Sequence, residues 1–455
     1  MRVEHETIKP NGIKTIPRRG LEPAGYRQRC FLTIACGLEF LGYNGNSMDN
    51  SEREFDVIVW GATGFTGQLV AEYMAQTYGV NGDLKWAIAG RSVEKLSQVA
   101  DDVAGLEATN LQQLIANSDD PDSINALVQK TRVICTTVGP YALYGDVIVA
   151  ACAEFGTHCC DLTGEVQWMQ RMIEKYQAVA ESSGARIVHT CGFDSIPSDL
   201  GVLFLQQQMK EKHGEPATQI KYRVVSMDGG ASGGTVASMM NMMEEAKVDP
   251  SISETLADPY ALNPPNMPRG PDGGDQTGPE FDMDFKQWTA PFVMAGINTR
   301  VVRRSNALMD YVYGKEFRYS EAMLTGEGPG GYIKAAMVAG VSALMMITAA
   351  FSPTRSLLQK VAPAPGEGPS KEAREKGSFN IEFIGKCGEH RLKARVTGDK
   401  DPGYGATCKM LAESAVCLAR DELEIGGGIW TPASAMGDKL IERLNEKAGM
   451  TFELI

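Results

Sequence analysis

DVIVWGATGFTGQLVAEYM, residues 56–74, carries the strongest structural signal in this 455-residue chain. The apolar run at 56–60 predicts a buried strand, and the residues that follow the turn predict a helix. Between them lie Gly61, Gly64 and Gly67, spaced three residues apart. Glycine permits a tight turn and close backbone approach, and the free N–H groups at a helix start attract phosphate. This pattern indicates a site for the pyrophosphate of a dinucleotide.

The alternation of short apolar runs with helical stretches continues to about residue 191. Such a rhythm is typical of a parallel sheet covered by helices on both faces, so the predicted fold class is α/β with a Rossmann-type doubly wound sheet. Strands are predicted at 56–60, 85–89, 112–116, 132–138, 157–161 and 185–190, and the most evident helices at 65–78, 92–103 and 165–183.

The end of the second predicted strand bears on the choice of cofactor. In an NAD site an acidic residue at this place accepts hydrogen bonds from the ribose 2′-OH. Here the sequence reads WAIAGRS, which places Arg91 and Ser92 there instead. A guanidinium and a hydroxyl suit a 2′-phosphate, so NADP(H) is the expected cofactor. The alternative is an ordinary solvated arginine at a helix start.

A second loop, TTVGPYALYG at 136–145, follows the fourth predicted strand. In a doubly wound sheet this edge meets the nicotinamide half of the cofactor. Gly139 would let the backbone approach the cofactor, Pro140 would stiffen the turn, and Tyr141 would offer a ring and a hydroxyl. The alternative is a structural loop with a packing tyrosine.

Beyond residue 195 the elements become longer, which predicts a second domain of α+β type. Expected units are an extension at 1–53, the NADP-binding domain at 54–195, a substrate or interface domain at 196–403, and C-terminal helices at 404–455 that pack back on the first domain. Residues 249–280 are rich in Pro, Gly and Asp and predict a long loop, and such loops often cover binding sites. Further elements are predicted as strands at 219–227 and 378–385 and helices at 235–246, 404–420 and 433–448.

Composition excludes some classes of function. A formal net charge of −13 argues against nucleic acid as a main partner, because phosphate-backbone binding requires clustered Lys and Arg. The ten cysteines include no CxxC pair, so they are expected to be buried thiols of a reducing, cytoplasmic compartment. No zinc-binding spacing of His and Cys is present, so no metal site is expected.

Residues 335–354 contain no charged side chain. Twenty residues meet the minimum length of a membrane-spanning helix, although the Ala, Gly, Ser and Thr content makes this one only moderately hydrophobic. Three interpretations remain open: a buried or homodimer-interface helix, an element on a membrane or lipid surface, and a true span. The N-terminal 47 residues are interpreted as a flexible extension or as sequence upstream of a natural start at Met48, with a targeting segment as the alternative.

Seven motifs, in this order along the chain, resemble those of the saccharopine dehydrogenase-like oxidoreductases. They are GATGFTG (61–67), AGRS (89–92), VGPYALYG (138–145), ACAEFGTHCCDLTGE (151–165), GFDSIPSDLG (192–201), GGASGGT (229–235) and DPGYGAT (401–407). The resemblance covers residues 54–455 and is greatest to the trans-acting enoyl reductases of lipid biosynthesis. It implies a fold, a cofactor and a reaction class more strongly than a particular substrate.

The resemblance also implies roles for individual residues. The pyrophosphate would be lined by Gly61, Ala62, Thr63, Gly64, Phe65, Thr66 and Gly67, the adenosine ribose by Arg91 and Ser92, and the nicotinamide by Gly139, Pro140 and Tyr141. Asp161, Asp194 and Ser195 would lie at strand ends on the substrate side. The alternative for the two aspartates is helix capping. Tyr141 is the candidate proton donor of a reduction.

The expected substrate is a hydrophobic acyl or polyketide-type lipid. A saccharopine-type substrate with several carboxylates would need converging cations, and residues 224–299 contain only Lys247, Arg269 and Lys286. The segment ASMMNMMEEA at 237–246 is instead rich in Met, which adapts to irregular apolar ligands, although a Met-rich core helix is the alternative. Competing functions are an amino-acid dehydrogenase, a non-catalytic lipid-surface protein, and a hydrolase that uses Ser232 of GASGG.

Overall fold

The computed structural model describes residues 52–229, 233–350 and 368–455. In the first half the elements are β1 (Phe55–Trp60), α1 (Phe65–Tyr78), β2 (Trp86–Gly90), α2 (Val93–Ala104), β3 (Gln112–Ile115), α3 (Pro121–Val128), β4 (Thr131–Thr136), α4 (Tyr141–Phe155), β5 (His158–Cys160), α5 (Val166–Ser183), β6 (Arg186–Val188) and α6 (Ile196–His213).

The second half continues with longer strands. Its elements are β7 (Gln219–Asp228), α7 (Gly233–Val248), α8 (Pro250–Ala257), β8 (Glu280–Asp282), β9 (Gln287–Ala290), α9 (Ala295–Leu308), β10 (Arg318–Gly326), α10 (Gly328–Ala350), α11 (Lys371–Lys376), β11 (Ser378–Cys387), β12 (His390–Gly398), α12 (Gly405–Arg420), β13 (Gly428–Trp430), α13 (Pro432–Ala435), α14 (Gly437–Lys447) and β14 (Met450–Leu454).

The first sheet has seven parallel strands in the order β13-β6-β5-β4-β1-β2-β3. Successive residues of β1 point to opposite faces, with Val57 and Val59 in one buried cluster and Ile58 and Trp60 in another. The sheet is therefore covered on both sides, as the doubly wound prediction requires. The strand order reverses between β1 and β4, and ligands bind at the carboxyl ends of the strands at such a point.

The second sheet also has seven strands, in the order β14-β12-β11-β7-β10-β9-β8. Only the pairing of β7 with β10 is parallel, and the other pairings are antiparallel. Helix α6 leads from the first sheet into this one and packs on β11 and β12. Because α6 starts directly after the end of β6, the second sheet is placed beside the carboxyl edge of the first.

The C-terminal segment returns to the first domain. Helix α12 packs on α1, β1, β4 and β5. Its Glu413 is fully buried and accepts hydrogen bonds from the hydroxyls of Tyr73, at 2.8 Å, and Tyr78, at 2.7 Å. The segment also supplies two strands that sequence patterns did not predict, since β13 joins the first sheet and β14 joins the second.

The structure also differs from the sequence-based expectation at the segment 249–280 and at Arg53. The predicted loop at 249–280 begins with helix α8, which Asp249 caps and which has Pro250 in its first turn. Arg53, expected in a flexible extension, is buried and donates to the carbonyl oxygens of Val128, at 2.6 Å, and Phe155, at 2.8 Å. Residues 1–51 of that extension lie outside the described residues.

The segment 335–354, up to the last described residue of α10, belongs to a helix with an exposed apolar face. Ile333, Met337, Val341 and Leu344 are between 57% and 65% exposed. This side of the helix is not buried in the monomer, which excludes the buried-core interpretation for the described part. Among the described helices, none combines the length and hydropathy that crossing a bilayer would require.

Candidate active site

The turn after β1 has the geometry expected of a pyrophosphate cradle. Gly61 has φ +89°, and a Cβ there would lie 2.6 Å from Val138 Cγ2. A Cβ on Gly67 would lie 2.2 Å from the carbonyl oxygen of Gly61, so the helix can approach the turn only without a side chain there. Gly64 is the N-cap of α1 and has no side-chain cap. The first N–H groups of α1 therefore remain available, and a dinucleotide phosphate fits this cradle.

The end of β2 lies beside this turn. A Cβ on Gly90 would be 3.3 Å from Cγ2 of Thr63. Arg91 follows directly and is exposed, so its guanidinium is free to meet a 2′-phosphate next to the turn. The Ser92 hydroxyl has a structural task, because it accepts a hydrogen bond from Lys95 N at 3.3 Å as the N-cap of α2. Of the two residues, only Arg91 has an exposed side chain without a capping contact, and its role in binding a 2′-phosphate stays a prediction.

Residues from the C-terminal half, which sequence patterns did not assign to the site, cover Phe65. The Tyr404 ring makes an edge contact with the Phe65 ring at a centroid distance of 5.1 Å. The Arg374 guanidinium lies 5.2 Å from the centre of the same ring. Gly368 also packs on it, since a Cβ there would be 2.3 Å from Phe65 Cε1. Phe65 is therefore a packing contact between the cradle and the segment around α11.

The loop after β4 places Gly139 at the carboxyl edge of the sheet, next to Pro140, whose peptide bond to Gly139 is cis. Tyr141 starts α4 and is only 4% exposed. Its hydroxyl donates to the carbonyl oxygen of Thr136 at 3.1 Å, and its ring packs on Trp168 at 5.4 Å. Burial raises the pKa of the phenol well above its usual value. Tyr141 thus has packing and hydrogen-bond partners inside the protein, and its role as proton donor stays a prediction.

The loop after β5 supplies two buried carboxylates that are already engaged. Asp161 accepts hydrogen bonds from the backbone N–H groups of Thr163, at 3.0 Å, and Thr190, at 3.2 Å. Its second oxygen lies 2.6 Å from Nδ1 of His189. Glu165 accepts from the backbone N–H of Tyr141 at 2.9 Å and so caps α4. Asp161 therefore orders the loop rather than capping a helix.

His189 is a buried residue at this edge of the sheet that sequence reasoning did not single out. It follows β6, is 1% exposed, and its Nε2 has no hydrogen-bond partner among the described residues. One signal in the sequence could have pointed to it: His189 is one of only five histidines in the chain, and it lies at the carboxyl end of the predicted strand 185–190. The carboxylate of Asp161 fixes the ring orientation, because one ring nitrogen is held at hydrogen-bond distance.

The loop after β6 presents Asp194 and Ser195 at the same edge. Ser195 is fully buried, and its hydroxyl donates to Oδ1 of Asn298 at 3.1 Å. Asn298 in turn donates to Glu321 of β10 at 2.9 Å, so this chain of bonds joins the crevice to the second sheet. Asp194 is partly exposed, and burial of its carboxyl raises its pKa to about 7. The N-cap residue of α6 is Ser195 and no side chain caps this helix, so the capping alternative stated for Asp194 is not observed.

The second domain contributes α7 and α9 near this edge. Methionines 239, 240, 242 and 243 lie on α7, where Met240 is 6% exposed and the others are partly exposed. Helix α7 contacts α4, whose start bears the loop with Gly139. Ser232, the candidate hydrolase nucleophile, lies outside the described residues.

Helix α9 carries three arginines just C-terminal to the segment 224–299. All three are buried, and each is engaged by carboxylate or carbonyl oxygens of the protein. Arg300 pairs with Asp275, and Arg303 Nε lies 2.9 Å from Oδ2 of Asp272. Arg304 donates to the carbonyl oxygen of Ile429 at 2.7 Å and to that of Leu262, and burial lowers its pKa to about 10. These pairs hold the Pro/Gly-rich loop in place.

Sequence comparison with known proteins agrees with this geometry. Residues 57–188 match the family model described as the saccharopine dehydrogenase NADP binding domain. A relative from Mycobacterium tuberculosis is 42% identical over 419 residues, which is 89% of this chain and 99% of that protein. The trans-acting enoyl reductase of Mycobacterium ulcerans is 40% identical over 415 residues, which is 87% of this chain and 97% of that protein.

This chain belongs to the saccharopine dehydrogenase-like oxidoreductases. As a member of that family it is an NADP-dependent oxidoreductase, and its cofactor is NADP(H). Among solved structures, saccharopine dehydrogenase from Saccharomyces cerevisiae is similar, with 10% identity, a TM-score of 0.48, and coverage of 88% of this chain and 99% of that one.

The described cysteines, eight in number, are buried free thiols, as expected. Within residues 52–229, 233–350 and 368–455, no group of three or more His, Cys, Asp or Glu side chains is arranged to hold a metal ion.

Proposed function

We propose that this oxidoreductase is an enoyl reductase that reduces the carbon–carbon double bond of an α,β-unsaturated acyl lipid. The similarity to the trans-acting enoyl reductase of Mycobacterium ulcerans supports this reaction. Bound NADPH would supply the hydride. The protein would supply the cradle at the start of α1, the 2′-phosphate contact at Arg91, and an apolar wall for the acyl chain.

The observation that carries the choice of an apolar substrate is the state of the cations in the second domain. A substrate with several carboxylates needs free guanidinium or ammonium groups in the crevice. Arg300 and Arg303 are instead neutralised by Asp275 and Asp272, and Arg304 is bound to carbonyl oxygens. By contrast, the methionines of α7 offer an adaptable apolar surface beside the loop after β4.

The test is a comparison of two substrate classes with purified protein and NADPH. We expect oxidation of NADPH with trans-2-octenoyl pantetheine thioester, which carries an enoyl group on an apolar chain. We expect no oxidation with glutamate plus an aldehyde, which would form an amino-acid-type substrate. Turnover of the second pair but not of the first would contradict the proposal in favour of an amino-acid dehydrogenase.

A second proposal concerns α10, whose outer face bears Ile333, Met337, Val341 and Leu344 at helical spacing. We propose that this face rests on a lipid surface from which the acyl substrate enters. Helix α10 packs against α7, so it neighbours the helix assigned to the acyl chain. An exposed apolar helix face would bind a lipid surface through the apolar area that it buries there.

Sedimentation with phosphatidylcholine vesicles tests this proposal. The wild-type protein is expected to sediment with the vesicles, and Val341→Glu is expected to remain in the supernatant. The control variant is Val312→Glu, because Val312 is also exposed and lies outside both α7 and α10. A protein that does not bind vesicles but has twice the monomer mass in solution would instead support the homodimer interpretation.

A further inference from the structure

A reduction of a carbon–carbon double bond needs a proton as well as a hydride, and most candidate donors at the crevice are already engaged. The Tyr141 hydroxyl donates to a backbone carbonyl oxygen inside the core. Asp161 is held by His189 and two backbone N–H groups, and Glu165 caps α4 with both oxygens. The Ser195 hydroxyl donates to Asn298. Each of these groups would have to lose a hydrogen bond before it could donate a proton to the substrate.

Asp194 differs from them in position and in partners. It lies after β6 at the carboxyl edge of the sheet, is partly exposed, and makes no ion pair within the described ranges. Two glycines flank its carboxyl group: a Cβ on Gly192 would lie 3.3 Å from Oδ2, and one on Gly164 would lie 3.7 Å from Oδ1. Because neither has a side chain, nothing from these two positions covers the carboxyl oxygens.

A chain of contacts connects this carboxyl group to the loop expected at the nicotinamide. Gly164 belongs to the loop after β5, in which Leu162 N donates to the Tyr141 hydroxyl at 3.4 Å. Tyr141 directly follows the Gly139–Pro140 turn. Asp194 therefore lies at the same edge of the sheet as the loop expected at the nicotinamide, and the loop after β5 lies between them.

The surroundings of Asp194 favour its protonated form. Burial is the main cause of its raised pKa, about 7, and the negative charge of Asp161 adds to it. Asp161 itself faces His189, which is the other titratable group of this corner. From α12, the neighbour is Thr407, whose methyl group lies beside Gly192 and which does not titrate. A carboxyl group that is protonated near neutral pH is matched to general acid catalysis.

We propose that the carboxyl group of Asp194 donates the proton to the α carbon of the substrate. This inference rests on the enoyl reductase function proposed above. The hydride from the nicotinamide forms the new C–H bond at the β carbon, and the electron pair of the double bond takes the proton from Asp194 at the α carbon. The double bond is reduced, the nicotinamide is oxidised, and Asp194 remains as a carboxylate that regains a proton from water.

Asp194→Asn tests the role, because an amide has the same shape but cannot donate an acidic proton. With NADPH and trans-2-octenoyl pantetheine thioester, we expect kcat to fall by about 100-fold or more, within the usual range for a lost general acid. The affinity for NADPH should stay within twofold of the wild type. The control is Asp119→Asn, an exposed aspartate in the turn between β3 and α3, to which no role in catalysis is assigned and which should leave kcat unchanged.

A second readout does not depend on activity. Burial raises the pKa of Asp199 to about 7 as well, so the cofactor-free protein labelled with ¹³C at the aspartate carboxyl groups should show two resonances that titrate near pH 7. One of the two should vanish in Asp194→Asn, and both should persist in Asp119→Asn. If Asp194→Asn does not fold, Asp194→Glu replaces it. Its carboxyl group should preserve measurable turnover, and the pH at which kcat declines should shift relative to the wild type. If kcat of Asp194→Glu declined at the same pH as that of the wild type, the assignment would be contradicted.

The outcomes separate this inference from the function on which it rests. A wild-type protein that binds NADPH but does not reduce the thioester contradicts the proposed substrate. A wild-type protein that reduces it, with Asp194→Asn within threefold in kcat, contradicts only the role of Asp194. An Asp194 resonance that titrates near pH 4 also overturns the role, because the group would then hold no proton to donate at neutral pH.

Discussion

Replacement of Gly61 by alanine tests the structural basis of the cofactor cradle. Gly61 has φ +89°, and its new Cβ would lie 2.6 Å from Val138 Cγ2 and 2.9 Å from Thr137 Oγ1. The left-handed backbone alone costs about 1–2 kcal/mol for an L-residue. Overpacking against two neighbours adds about 1–3 kcal/mol. We therefore expect a loss of about 2–5 kcal/mol in the free energy of unfolding, by the sum of these two effects.

A matched control separates the two contributions. Gly184 has φ +82°, but no atom lies within 4 Å of a Cβ placed there. Gly184→Ala should therefore lose only the backbone cost of about 1–2 kcal/mol. Urea unfolding of both variants measures the difference between them.

The same variants distinguish effects on binding from effects on stability. In Gly61→Ala the clash displaces the loop that carries Val138, so the affinity for NADPH should fall by about tenfold or more, equivalent to about 1.4 kcal/mol. In Gly184→Ala it should be unchanged, since this residue follows α5 at the other edge of the sheet. Equal losses of stability in both variants, with NADPH affinity within twofold of the wild type, would refute the reasoning.

Three further predictions concern individual charged groups. Arg91→Ala should weaken NADPH binding by about 10- to 100-fold, the value of one charge-assisted contact, and leave NADH binding unchanged in fluorescence titrations. The pKa of Glu321 is raised from 4.5 to about 7 by burial, so its stabilisation is present at low pH and is lost as pH rises through 7. Glu321→Gln should therefore reduce the fall in unfolding free energy between pH 5 and pH 8, by at most about 3 kcal/mol, and thermal unfolding across that range measures it. Asp272→Ala removes the partner of the buried Arg303 and should lower the unfolding free energy by about 3–5 kcal/mol in urea, with an unchanged value contradicting the role of this pair.

The first sheet was predictable because its strands are short apolar runs separated by helices. Strands β1 to β6 all lie within or close to the predicted segments, and GATGFTG identified the switch point. The second sheet was only partly predictable. Strands such as β13 and β14 are three and five residues long and gain their stability from neighbours that are distant in sequence. No local pattern reveals such pairing.

Some differences had a local signal. Asp249 followed by Pro250 is a helix start within the segment predicted as a loop, because an aspartate cap and a proline in the first turn are both typical of one. The burial of Tyr141 had no such signal. Its hydroxyl donates to the carbonyl oxygen of Thr136, and its ring packs on Trp168, which lies 27 positions away in the sequence. Only the packing of α4 on α5 makes this contact.

Binding of the two nicotinamide nucleotides, measured by calorimetry on the purified protein, tests the central claim most directly. The cradle at the start of α1 together with Arg91 predicts that NADPH binds at least about tenfold more tightly than NADH, since one charge-assisted contact contributes about 1.5–3 kcal/mol. Equal affinity for both nucleotides, or no binding of either, would contradict it.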